Sequence, residues 1–259
     1  TYTFRNWNEL LIQDDLISSA CPVSSVPALS SLSVGGTTGA TPQLSNVQTW
    51  ANYAIVSNDE RKRMACAPRN ILIEQVQTAP PQNFISGTNY TPSFDLRFSH
   101  AIKVMFFAVR NTTVASQWSN YTAASPIPGD TVVDFNPAGA VDPIAITSLT
   151  YENTARLQAM GSDYFSLVQP WYHAPVIPLE TGYHMYSYSL DFICLDPKGS
   201  TNYGKLTNVS IAPVASLGAQ VGAAGSGGEG EGNDYPQTYR FITTVVNNNI
   251  IRISGGALG

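Results

Sequence analysis

The apolar positions of this chain fall into two kinds of run, and the contrast is sharpest between Thr91 and Thr112. Residues 93–99 alternate, with Phe94, Leu96 and Phe98 on one side and Ser93, Asp95, Arg97 and Ser99 on the other. A period of two is what a strand with one buried and one wet face requires. After His100 and Ala101, residues 102–109 read IKVMFFAV, with almost no polar relief. Such a run predicts a strand covered on both faces.

The same reading predicts further strands over residues 1–12 (running into a turn), 50–56, 69–77, 144–151 and 206–214, while 239–246 and 250–253 close the chain as a strand or bent strand with the Asn247-Asn248-Asn249 step between them. Residues 182–195 alternate strictly, which places His184, Tyr186, Tyr188, Leu190, Phe192 and Cys194 on one face of a strand. Two stretches carry a helical pattern. In SNDERKRMACAP, Ser57 or Asn58 is the N-cap and Glu60 has the capping-box spacing to Ser57. Acidic Asp59 and Glu60 precede basic Arg61, Lys62 and Arg63, in the order the helix dipole favours, and Pro68 stops the helix. The second predicted helix runs from Asn153 to about Met160. Residues 13–46, 111–143 and 215–234 read as long connections, and 169–178 is too rich in proline for a central strand. From Arg69 onward this gives seven or eight strands joined by loops of unequal length. An all-β, antiparallel jelly-roll sandwich fits that pattern; an immunoglobulin-like sandwich, with shorter loops, fits less well.

Composition adds one point of weight. Of 259 residues 43% are hydrophobic and only 12% charged, about half the ~25% usual for soluble domains. So much uncharged surface is expected to be covered by partners. The net charge of −5 argues against a nucleic-acid footprint. Cys21, Cys66 and Cys194 are odd in number and far apart, which predicts reduced, mostly buried thiols rather than a disulfide framework or a zinc site. The chain opens on Thr1 in what reads as the middle of a strand, so the native start is expected upstream.

Candidate chemistry is sparse. Gly225 to Gly230 matches G-x-G-x-x-G, but an Ala-rich loop precedes it and Asn233-Asp234-Tyr235-Pro236 follows, not the strand and helix that dinucleotide binding needs. His100, His173 and His184 are the only histidines; no Ser or Cys sits in a nucleophile elbow, and His173 with His184 makes a poor metal pair. No catalytic, cofactor-binding or metal residue is assigned. Sequons stand at Asn89, Asn111, Asn120 and Asn208, in a chain rich enough in Asn, Ser and Thr for chance matches. The 13 Tyr and 4 Trp suit core and interface packing, or the binding face of a carbohydrate-binding attachment module. A cupin-like enzyme would want two or three His and a carboxylate at one barrel mouth, which this scatter of histidines does not favour.

The segments NDERKRMACAPRNILIEQVQTAP, SFDLRFSHAIKVMFFAVRN, YENTARLQAMGSDYFSLVQPWYHAP, GYHMYSYSL, GSTNYGKLTNVSI and VNNNIIRISGGALG resemble the major capsid proteins of iridoviruses, within the double jelly-roll capsid proteins of large icosahedral DNA viruses. The likeness covers residues 57–259; the first fifty-odd agree more loosely. It implies two consecutive rolls, of which residues 1–56 would be the end of the first, 57–68 the linker helix and 69–259 the second. It also implies a structural role without cofactors or catalysis: a homotrimer of pseudo-hexagonal outline, tiling a shell with neighbouring capsomers and minor capsid proteins. That shell would overlie an internal viral membrane, without direct nucleic-acid contact, and be assembled in the host cytoplasm. The family's full chain is longer, so residues 1–56 are expected to be ordered only when packed on the second roll or another chain.

Overall fold

In the computed structural model, the residues described are 4, 33–34, 37–38, 44–85, 92–113, 119–123, 142–220, 237–254 and 257–258. The chain divides into two units, residues 1–64 with 129–134, and residues 65–128 with 135–259.

The first unit contains a short antiparallel pair, β1 (Ser33–Val34) and β2 (Thr37–Thr38), and most of helix α1 (Asn58–Cys66). Ser57 is the N-cap: its hydroxyl accepts from the Glu60 amide at 3.4 Å and its carbonyl from the Arg61 amide at 3.0 Å. Residues 50–56 form no strand, against expectation. Trp50, Tyr53 and Ile55 stand 88%, 92% and 100% exposed, so an apolar pattern alone did not supply strand partners. The strand expected at 1–12 lies outside the described residues, apart from Phe4, which has no regular structure.

The second unit is two packed sheets. Its strands are β3 (Arg69–Thr78), β4 (Gln82–Ile85), β5 (Phe94–Asp95), β6 (Ala101–Asn111), β7 (Ile144–Tyr151), β8 (Thr154–Gly161), β9 (Tyr183–Ser187), β10 (Thr201–Asn202), β11 (Val209–Ala215), β12 (Thr238–Ser254) and β13 (Ala257–Leu258). Pro80 and Pro81 interrupt the first strand, and its two parts, β3 and β4, both pair with β12. With β3 and β4 counted as one, and the short β10 and β13 set aside, the pairs are first with eighth, second with seventh, third with sixth and fourth with fifth. That is one long antiparallel hairpin rolled up on itself, the jelly roll. One sheet runs β3/β4–β12–β6–β9 and the other β5–β11–β7–β8.

The core lies between them. Phe94, Leu96 and Phe98 point inward as their alternation predicts, and Phe94 stacks on Phe241 of the facing sheet at 4.5 Å. His100, in the left-handed region at φ 68°, separates that stretch from β6. β6 is buried along most of its length, again as predicted.

Two predictions fail for identifiable reasons. Residues 154–161 are a strand, not a helix, because Glu152 and Asn153 both take positive φ (46° and 63°) and close a two-residue hairpin between β7 and β8. Tertiary pairing overrides the helix-favouring Ala, Arg, Leu, Gln and Met of this stretch. Residues 182–195 are a strand only to Ser187; thereafter the Ser187, Ser189 and Asp191 side chains fold the backbone into consecutive turns. The expected face therefore breaks up, with His184 buried and Leu190 80% exposed. β12, by contrast, takes one of the two forms expected and runs unbroken through the three asparagines, because β3 pairs with it along residues 244–253.

Candidate functional site

Register assigns every side chain of the β3–β12–β6–β9 sheet to one of two faces. Inward go Met105, Phe107 and Val109 with Tyr239, Phe241 and Val245. Outward go Leu72, Val76, Ile242, Val246, Ile250 and Phe106, with Arg240, Arg252 and Arg110. Val76 faces Val246 directly and Leu72 faces Ile250. An antiparallel sheet of a free-standing sandwich is expected to turn polar residues outward. Here aliphatic residues alternate with polar ones on the outward face (Asn70, Glu74 and Thr78 on β3, Thr244 and Asn248 on β12), and Val76 and Ile250 stand open where β3 meets β12, 67% and 57% exposed.

The other half of this face is covered by the chain itself. Between Val246 and Asn247 the register with β6 shifts, which leaves Lys103 as an extra, bulged residue. Its ammonium, though almost fully buried, pairs with Glu74 of β3 and donates to the Cys194 carbonyl at 3.0 Å. Phe192 meets Phe106 edge-on at 6.0 Å. Residues 190–196 thus cross the outer face and seal Val104 and Met185 beneath them. The crossing segment is stitched by polar bonds: the Asp191 carboxylate pairs with Lys198 at 2.8 Å and accepts from the Ile193 and Cys194 amides. Lys198 first, then those amides, hold the Asp191 carboxyl below its ordinary range. Leu190, Ile193 and Leu195 project outward from this fixed backbone.

The free edge of β9 carries a second surface. A π-helical turn (Tyr164–Val168) leads into helix α2 (Gln169–His173), and the Gln169 side chain accepts from the Ser187 amide at 3.1 Å. An otherwise open strand edge is therefore capped. Trp171 and Tyr172 stand 72% and 74% exposed on this cap, and His173 Nδ1 lies 3.3 Å from the Leu190 carbonyl.

A grouping of Ser, His and Asp at the end of β8 is structural. Ser162 Oγ and Asp142 Oδ2 both meet His184 Nε2, at 3.1 and 2.7 Å, and Ser162 also donates to Asp142. In a catalytic triad the two ring nitrogens face different partners. Here Nδ1 has none, the ring stacks on Phe107, and the side chain is fully buried. The cluster joins the end of β8 and the residue pair before β7 to β9, bridging the two sheets. Tyr151, Tyr188 and Tyr203 form a second bridge, with phenol oxygens 2.6 to 3.4 Å apart. Burial drives all three pKa values up, that of Tyr188 far up.

His173 and His184 have separate partners, and among the described residues no group of three or more His, Cys, Asp or Glu is placed to hold a metal. Cys66 is exposed and Cys194 half-buried, both free, so the expectation of mostly buried thiols fails at Cys66; Cys21 lies outside the described residues. So does the Gly225–Gly230 run. The sequons at Asn111 and Asn120 prove to be turns. Each Asn Oδ1 accepts from the amide and hydroxyl two residues on, at 3.1 and 2.6 Å from Thr113 and at 3.0 and 2.7 Å from Thr122. Both asparagines are buried, Asn208 is exposed, and Asn89 lies outside the described residues.

The profile of the large eukaryotic DNA virus major capsid protein matches residues 60–259. The chain belongs to that family. It is 60% identical over 260 residues to the major capsid protein of Costelytra zealandica iridescent virus, covering 100% of this chain and 55% of that protein. Against the major capsid protein of invertebrate iridescent virus 3 it is 59% identical over 259 residues, covering 100% and 54%. Among solved structures it resembles a quasi-atomic model of the PBCV-1 virus capsid, with TM-score 0.61 at 22% identity over 79% of this chain and 54% of that one. That likeness speaks for the fold. The chain spans about half the length of the curated relatives it matches. The family is structural rather than enzymatic.

The sequence reading missed the outward face. Its signal was there: β3 carries Ile71 and Ile73 at odd positions and Leu72 and Val76 at even ones, so each face of the strand carries large apolar side chains among its polar ones.

Proposed function

We propose that this chain is a building block of a viral capsid shell, working through burial of its surfaces against neighbours. The observation that carries this reading is the group of large aliphatic side chains, Leu72, Val76 and Ile250, standing exposed on the outward face of the β3–β12–β6–β9 sheet. Contiguous exposed apolar surface on a folded domain marks an interaction site.

In this reading residues 69–259 are the second of two rolls, 57–68 the linker helix and 1–56 the end of the first. Support comes from the eight-strand pairing being complete from Arg69 onward, and from Trp50, Tyr53 and Ile55 standing open to solvent as side chains parted from their cover would. Three such chains form the capsomer of pseudo-hexagonal outline, which meets other capsomers and minor capsid proteins, lies over an internal membrane and touches no nucleic acid. The product is a virion component assembled in the host cytoplasm.

The test is the solution mass of a chain of the relatives' full length, by light scattering across concentration. A trimer that persists on dilution is expected; a monomer at the highest soluble concentration would overturn the reading.

A further inference from the structure

β3 with β4, β9, β5 and β8 form the outer edges of the two sheets, and three of these edges are blunted against strand addition. β9 is capped by the Gln169 side chain on its Ser187 amide. β8 carries two register shifts against β7 and a residue in the left-handed region, Ala159 at φ 49°. β5 is two residues long. Caps, bulges and short strands keep a neighbour from extending a sheet. β3 has none of these. It runs ten residues in unbroken register with β12, and neither proline nor lysine occurs in it.

The register also fixes which backbone groups this edge offers. The Ala79 amide donates to the Thr243 carbonyl at 3.0 Å, one step beyond the Thr78–Thr244 pair. Direct bonding alternates along an antiparallel ladder, so the odd residues of β3 bond β12 and the even ones turn N–H and C=O away from it. Those are Asn70, Leu72, Glu74, Val76 and Thr78, and among the described residues β12 is the one strand paired with β3. Their side chains lie on the outward face, where Leu72 is 43% and Val76 67% exposed. Glu74, the one carboxylate of the strand, is already held by Lys103.

We propose that β3 pairs with β3 of a second copy, antiparallel about a two-fold axis, so that one sheet continues into the next. The inference rests on the capsid reading and concerns a contact between trimers, not the one that closes them. A ring closes through unlike patches, whereas a two-fold contact uses the same patch on both sides and can join one closed ring to another. The edges of the second copy select the occupant: β5, β8 and β9 are blunted there too, which leaves β3 as the strand to add. Even residues must face even residues for the free groups of both copies to be met, and the register that meets them all centres on Glu74. It sets Leu72 against the partner's Val76 on the outward face, twice in each contact, and Asn70 against the partner's Thr78. The two Glu74 carboxylates meet near the axis, each already neutralised by the Lys103 of its own chain. Main-chain hydrogen bonds supply the affinity of such an added strand, and side-chain pairs its register.

The experiment uses a chain of the relatives' full length. Copies carrying Leu72→Cys are mixed with copies carrying Val76→Cys, assembled and gently oxidised, and disulfides are located by peptide mass. Directly bonded residues of an antiparallel pair stand about 5.5 Å apart at Cα, within disulfide reach. A 72–76 link is expected in the mixture and none at these positions in either variant alone, where the two cysteines are out of register. Val76→Lys, and independently Val76→Pro, which deletes an outward N–H and no bond to β12, should each weaken association between trimers about tenfold and leave the trimer whole. Thermal unfolding is the folding control, and Val76→Lys at an exposed position should not shift it. A wild-type trimer that gives no 72–76 link, or whose association Val76→Lys leaves unchanged, would overturn the inference and leave the capsid reading standing. Position 76 shielded on assembly without the link would give the edge to another occupant, the same chain or a different protein, and also overturns it. A wild-type monomer would remove both.

Discussion

Phe94 on β5 and Phe241 on β12 stack ring on ring across the core, one from each sheet. The residues next to them point the other way, and there the two sheets part company. Behind Phe94 stands Asp95, and the rest of that sheet's outward positions run to Ser210, Thr150 and Ser148, with Ala212, Val214 and Ile146 half-buried among them. Behind Phe241 stands Ile242, in a face continued by Val246, Val76, Ile250 and Leu72. One sheet is finished for water. The other leaves Leu72, Val76 and Ile250 open to solvent. Inner faces decide that the chain folds as a roll; the difference between the outer faces decides what the roll can do.

That contrast can be broken from the inside first. Phe241→Ala removes a ring packed on both Phe94 and Phe107, and should cost about 3–5 kcal/mol in denaturant unfolding of the second unit. Lys103→Met should cost about 2 kcal/mol, since it leaves Glu74 without its cation and the Cys194 carbonyl without its donor, and should loosen the segment that seals Val104. Faster amide exchange over residues 190–196 would show that loosening; unchanged exchange there would contradict the sealing role.

Tyr188→Phe should cost about 1 kcal/mol near neutral pH, through its bonds to Tyr151 and Tyr203. The same phenols set a pH limit. Burial holds Tyr188, Tyr203 and Tyr239 protonated in the fold beyond the ordinary value of 10.0. Above that value the unfolded chain sheds phenolic protons and the folded one retains them, so stability is full below about pH 10 and falls as pH rises further. Urea midpoints measured from pH 8 to 11.5 should decline over the upper part of that range, less steeply in Tyr188→Phe. The smallest effect belongs to the outer face: Val76→Ser should change folding stability by no more than about 0.5 kcal/mol, because the residue it replaces is already in water.

How much of this was legible before the structure depends on how local the cause was. The inward set Phe94, Leu96 and Phe98, the buried run of β6 and the Ser57 cap all follow from spacing within a few residues, and all stand where spacing puts them. The β7–β8 hairpin was not legible, because Glu152 and Asn153 take positive φ without a glycine to announce it. At Gly182 the reason for glycine is likewise non-local: φ is 94°, and a Cβ there would lie 2.1 Å from the Tyr121 carbonyl oxygen. The sequons at Asn111 and Asn120 read as modification motifs although the same Asn and Thr spacing serves turns at the base of a connection, where Asn111 bonds Gln237 at 2.7 Å. The His184 cluster draws on three separate elements and has no sequence signature at all.

The direct test of the central claim is solvent access to the two outer faces in the assembled state. Val76→Cys and Gln158→Cys, each in the full-length chain, can be labelled with a maleimide before and after assembly and the label located by peptide mass. Position 76 should lose most of its labelling on assembly while position 158 keeps it. Protection at 158 with continued labelling at 76 would contradict the account.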